Sequence, residues 1–141
     1  MMKRLVIGLG NPYRRDDAAG LEVARRVRTV PAHQRMTSSY ELIDLWEGAD
    51  DVIIVDATRS DAPAGTVRHF HPLQEPLPNR AFSSTHAIGI AETIEMARQL
   101  DRLPAQIVVY GIETGDIRAG TTMSPVVEEA VMRVAREIDD A

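Results

Sequence analysis

Val6-Ile7-Gly8-Leu9-Gly10-Asn11-Pro12-Tyr13-Arg14-Arg15-Asp16-Asp17-Ala18-Ala19-Gly20 is the stretch whose reading decides the fold. Leu5, Val6 and Ile7 make a short apolar run bounded by glycine, the pattern of a strand buried on both faces. Gly8 and Gly10 permit backbone angles that bulkier residues resist, and Asn11-Pro12 is strong turn chemistry. Asp16 and Asp17 then precede the periodic residues Leu21, Val23, Ala24 and Val27. Acidic residues are favoured in a first helical turn by its unpaired N–H groups and by the helix dipole. The stretch therefore predicts a strand over Arg4 to Leu9, a turn, and a helix from about Asp17 to Arg28 with carboxylates at its mouth.

Working outward, Val52-Ile53-Ile54-Val55 is the clearest strand, and Asp56 stands at its carboxyl end. Ile107 to Tyr110 is another, followed by Gly111-Ile112-Glu113. Thr66 to Phe70 alternates like a half-buried edge strand pairing antiparallel to a neighbour, and Gln34 to Tyr40 is a weaker candidate edge strand. Helices are predicted over Glu41 to Glu47 with Gly48 as C-cap, from Ser84 or Thr85 to about Leu100, and from Ser124-Pro125 to the C-terminus. Helices alternating with buried strands predict a three-layer α/β/α sandwich with a mostly parallel sheet and an antiparallel edge strand. We expect residues 1–141 to form one domain.

Composition narrows the chemistry. Hydrophobic residues make up 44% and charged residues 26%, ordinary for a globular protein. The net charge of -5 and the shortness of Arg14-Arg15 and Arg25-Arg26 argue against a nucleic-acid partner. The absence of cysteine excludes disulfides, thiolate metal sites and a cysteine nucleophile. No signal-peptide core and no bilayer-length apolar run is present, so the expected location is cytoplasmic, with no membrane partner. His69 and His71 would share one face of a strand, but with no acid nearby they read as exposed edge-strand residues rather than a metal pair.

Asp17, Asp56 and His86 each fall at a helix start or a strand exit, positions that share one rim in such folds. Near a helix N-terminus the dipole disfavours imidazolium, so His86 is expected to be neutral and able to ligate. Two carboxylates and a neutral imidazole suit a borderline divalent ion such as zinc or nickel. The sequence leaves open whether the three meet. Glu113, one more acid at a strand end, can reach the same crevice.

Gly8-Leu9-Gly10-Asn11 followed by Asp16-Asp17-Ala18-Ala19-Gly20 resembles the opening motif of the hydrogenase maturation proteases. Val55-Asp56-Ala57 with Pro63-Ala64-Gly65-Thr66 resembles the second motif, and Ser84-Thr85-His86 the third. Tyr110-Gly111-Ile112-Glu113 and Met123-Ser124-Pro125 complete a series that runs in order over nearly the whole chain. The chain departs from many members in carrying Asp17 in place of Glu, and Thr37-Ser38-Ser39 where an acidic-Gly-Gly pattern is usual.

The resemblance implies an endopeptidase that removes a C-terminal extension from a nickel-iron hydrogenase large-subunit precursor after nickel insertion. It implies nickel carried by the substrate, contacts to that metal from Asp17, Asp56 and His86, and no organic cofactor. Asp17 or Asp16 is then the candidate general base, with Asn11 and Glu113 as candidate substrate-binding residues. No Ser-His-Asp order and no HExxH run supports another protease mechanism.

Rival readings come from other classes. A non-catalytic hydrogenase-assembly partner would keep the metal-reading residues without cutting. The opening also resembles the peptidyl-tRNA hydrolases, esterases in which an Arg-His-Asn follows, whereas Asp16 follows Arg15 here. A dinucleotide-binding reading lacks its third glycine, since Tyr13 stands at that position.

Overall fold

The computed structural model describes residues 3–36, 40–78 and 89–141. Five strands form one sheet: β1 (Arg4–Leu9), β2 (Ala32–Arg35), β3 (Asp51–Thr58), β4 (Val67–Phe70) and β5 (Gln106–Glu113). Among the described residues four α-helices accompany them: α1 (Ala19–Arg26), α2 (Glu41–Leu45), α3 (Ile90–Gln99) and α4 (Pro125–Asp140). The order across the sheet is β2-β1-β3-β5-β4, parallel throughout except for β4 at one edge.

Strand alternation divides the core between two faces. Leu5, Ile7 and Leu9 of β1, Val52 and Ile54 of β3, and Ile107 and Val109 of β5 pack against residues of α2 and α3. Val6, Ile53, Val55, Tyr110 and Ile112 pack on the other face against α1 and α4. The expected three-layer α/β/α sandwich is what forms. Central strands buried on both faces lose the polar alternation of an amphipathic strand, which is why they read as continuous apolar runs.

Several boundaries differ from the sequence reading. The β1–α1 connection contains a 3-10 turn, Arg15–Ala18, and α1 starts only at Ala19. The first edge strand is Ala32–Arg35, earlier than expected, and pairs parallel to β1 with Ala32 opposite Val6. Strand β3 does not end at Asp56 but runs on to Thr58, because β5 is equally long and pairs it to the end, Thr58 opposite Glu113. Strand β4 pairs with β5, which inserts between it and β3. The described part of α3 starts at Ile90, and its expected start at Ser84 or Thr85 lies outside the described residues. Thr37 to Ser39 also lie outside them.

Gly8 serves space rather than backbone angle. A Cβ there would stand 2.1 Å from the Gly20 carbonyl oxygen, and one on Gly20 would stand 2.2 Å from that of Val55 and 2.3 Å from that of Leu9. The first turn of α1 thus rests directly on the backbones of β1 and β3. Gly20→Ala is expected to destabilise the protein by about 3 kcal/mol, the upper range for overpacking a tight interior. Gly89→Ala, where a Cβ meets nothing within 4 Å, should cost less than about 1 kcal/mol. Urea unfolding midpoints of the two variants check the contrast.

On the α4 face, Tyr110 lies edge-on to the His69 ring, with centroids 4.4 Å apart, and its hydroxyl donates to Glu137 Oε1 at 3.4 Å. Burial, reinforced by the Glu137 charge, pushes its phenol up to about 12. An unfolded tyrosine titrates near about 10. The folded state therefore holds this proton more tightly, so the contribution is complete below about pH 10 and is lost as pH rises through the folded value. Stability measured against pH should fall across that alkaline window, and Tyr110→Phe should flatten the fall.

Candidate active site

Strand order places the site. The chain leaves β1 for β2 on one side, through α1, and returns to β3 on the other side of β1, through α2 on the opposite face. This reversal falls at the carboxyl ends of β1 and β3, the location where open α/β sheets bind ligands. Asp17 lies in the turn that follows β1, and Asp56 lies near the carboxyl end of β3. Both are buried, at 1% and 0% exposure. Asp17 Oδ2 accepts the Asn11 N–H at 3.2 Å, and Asp56 Oδ1 accepts the N–H of Ala57 at 2.8 Å.

Asp16 has a different task from its neighbour. Its Oδ2 accepts the N–H groups of Gly115 and Asp116, both at 2.8 Å, and the Ser124 hydroxyl at 2.7 Å. Its Oδ1 accepts the Ser124 N–H at 2.7 Å. Neither Asp16 nor Asp17 caps α1 through its side chain. Asp16 instead receives the first residues of the α4 start, and Ser124, at the expected N-cap position, donates its hydroxyl to Asp16 rather than making a side-chain cap bond to its own helix. A buried carboxylate is tolerated when donors replace its lost hydration, and Asp16 has four. Those donors occupy both oxygens, which makes Asp16 a tie between two loops.

Backbone pairing extends this tie. Arg15 N–H donates to the Gly120 carbonyl at 3.1 Å, Gly120 N–H to that of Tyr13 at 2.9 Å, and Arg14 Nε to that of Ile117 at 3.2 Å. The Arg118 guanidinium beside Asp116 holds that carboxyl well below the usual carboxylate range.

Glu113 is likewise enclosed. Its Oε1 accepts the hydroxyls of Thr58 at 2.9 Å and Ser60 at 2.8 Å, and its Oε2 accepts the Ser60 N–H at 2.6 Å. It fastens the start of the loop after β3 to the end of β5. Asn11 Oδ1 accepts the Tyr13 N–H at 2.9 Å, fixing the turn beside Asp17. His86 lies outside the described residues, and among the described residues no group of three His, Cys, Asp or Glu is placed to hold a metal ion. The structural roles of Thr58 and Ser60 had no signature in the sequence, since ordinary hydroxyl residues in a strand end and a loop carry none.

A sheet with this topology and acidic residues at its switch point defines an α/β protein of the class that binds ligands at the strand ends. The family model described as HycI, hydrogenase maturation protease, matches residues 37–141, and the chain belongs to that family of endopeptidases. The fold is similar over 99% of this chain to the [NiFe] hydrogenase maturation protease HybD from Thermococcus kodakarensis, covering 98% of that chain, with TM-score 0.81 and 26% identity. HycI from Thermococcus kodakarensis KOD1, also a [NiFe] hydrogenase maturation protease, gives TM-score 0.75 and 26% identity, covering 99% of this chain and 91% of its own. The hydrogenase maturating endopeptidase HybD from E. coli shares the fold at TM-score 0.84 and 21% identity, over 97% of this chain and 90% of its own. A search of curated proteins returns no match. The family match begins beyond Asp17, whereas the fold comparisons span nearly the whole chain.

Asp16→Asn removes acceptor capacity and sets an amide N–H₂ against a ring of donors. Hydrogen bonds to a charged group are worth about 1.5–3 kcal/mol each, so a loss of about 3 kcal/mol in unfolding free energy is expected. Hydrogen exchange should quicken at the amides of Gly115, Asp116 and Ser124.

Proposed function

We propose that this chain removes the C-terminal extension of a nickel-iron hydrogenase large-subunit precursor after nickel has been inserted. The observation that carries the reading is the pair of buried carboxylates, Asp17 and Asp56, at the β1/β3 switch point of a member of this protease family. Two carboxylates, with an imidazole such as that expected of His86, would make a donor set that suits a borderline divalent ion. We assign the nickel to the substrate rather than to the resting enzyme, and the reaction to the cytoplasm. Among the described residues no helix is long and apolar enough to cross a membrane.

In this mechanism Asp17 and Asp56 hold the substrate's ion and thereby fix the attached peptide in one orientation, removing much of the entropic cost of amide hydrolysis. A divalent ion there also supplies Lewis-acid polarisation. Asp17 takes the proton from the attacking water and passes it to the leaving amine as the C–N bond breaks, while Asp16 keeps the turn beneath it in place. The Asn11 N–H, donating to Asp17 Oδ2, orients that carboxylate. Glu113 contributes by fixing the loop through Ser60 rather than by direct contact with substrate.

The purified protein, incubated with nickel-loaded and nickel-free precursor and read by intact mass, should release a C-terminal peptide from the loaded form only. Asp17→Asn and Asp56→Asn should each slow cleavage by at least about a hundredfold, the scale of a lost general base or positioning group. Complex formation without cleavage of either precursor would sink the protease reading in favour of an assembly partner.

A further inference from the structure

A cleft of ≈ 400 Å³ opens beside the β1–α1 turn, on the face that carries α1 and α4. Ala18, Leu21 and Met123 give it an apolar lining, and Arg15, Arg25 and Arg26 bring three guanidinium groups to it. We propose that this cleft binds a carboxylate of the peptide segment that the enzyme removes, with Arg15 as the anchor. The assignment of that segment rests on the protease reading above.

Of the three cations, Arg15 and Arg26 have donor capacity to spare. Arg25 is closed by Glu22 at 2.7 and 3.0 Å, and Arg26 lies 4.0 Å from both Glu22 and Glu128. The Nε atoms of Arg15 and Arg26 are both buried and make no hydrogen bond among the described residues. The acid nearest Arg15, Asp116, is 3.7 Å away and is held by Arg118 at 2.8 Å.

Arg15 is the one of the two whose backbone fixes it in advance. Its φ is +46°, a left-handed conformation that residues with side chains rarely adopt. Its N–H is bound to the Gly120 carbonyl, and its guanidinium lies across Gly120, with Nε and Cζ 3.0 Å from where a Cβ would sit. A Cβ at position 120 would press on that pose. Strain retained in one residue beside a crevice is a mark of function when the surroundings enforce it, as here. A planar guanidinium matches a carboxylate in a two-pronged bond, and the apolar lining suits peptide stems. Glu22 and Glu128 beside the cleft disfavour a more highly charged anion such as phosphate.

The test uses short blocked peptides in calorimetric titration of the whole protein. The set is acetyl-Ala-Ala-Glu-Ala-amide, its Gln counterpart, the Gln peptide with a free C-terminus, and inorganic phosphate. Arg15→Gly removes the guanidinium while keeping the N–H and a residue at ease with this φ. At least one carboxylate peptide should bind roughly tenfold tighter than the neutral peptide, a gap that Arg15→Gly abolishes and Arg15→Lys restores in part. The side-chain and C-terminal arms separate the two sources of the carboxylate. Equal binding of acidic and neutral peptides, an unaffected Arg15→Gly variant, or tighter binding of phosphate would each overturn the proposal.

With the nickel-loaded precursor, Arg15→Gly should raise KM, and neutralising the extension's carboxylates should raise KM for the wild type without further effect in the variant. Cleavage indifferent to Arg15 defeats the cleft and leaves the protease reading standing. Peptide discrimination without any precursor cleavage does the reverse.

Discussion

One buried carboxylate organises the functional end of this molecule. Asp16 gathers the amides of Gly115 and Asp116 and both donors of Ser124 around two oxygens. It therefore joins the loop after β1 to the loop after β5, across a sheet in which β3 lies between those strands. A charge so deeply buried is stable only with its ring of donors complete, and the donors lose their partner if the carboxylate goes. That mutual dependence fixes the turn bearing Asp17, sets the start of α4, and holds Gly120 where Arg15 can lie across it.

The sequence carried the layers and hid the ties. Val52 to Val55 and Ile107 to Tyr110 are buried on both faces, so burial itself writes them as apolar runs. Their continuation to Thr58 and Glu113 was illegible, because at the strand ends a polar residue in a ladder looks the same as one in a loop. The partner of β4 was hidden for a related reason. A short connection favours pairing with β3, but β5, nearly forty residues later, takes that place.

The same contrast holds at the site. Asp16 and Asp17 stood out in the sequence, yet adjacent acids at a helix mouth do not disclose which of them is the tie between loops. The distinction lies in donors about a hundred residues away. Asp56 was legible as a charge following an apolar run. Glu113 was legible as an acid at a strand end, but its enclosure by Thr58 and Ser60 depends on cross-sheet register that periodicity does not encode.

Strand order also has a consequence for biosynthesis. Because β5 inserts between β3 and β4, neither β4 nor the ring around Asp16 can be completed before residues 106–124 have been synthesised. Chains grow from the N-terminus, and pairings distant in sequence form late. A nascent chain that already contains Asp17 and Asp56 still lacks the loop that steadies the turn bearing Asp17. The order of synthesis thus acts as an interlock, withholding a finished cutting edge until the last helix begins to emerge.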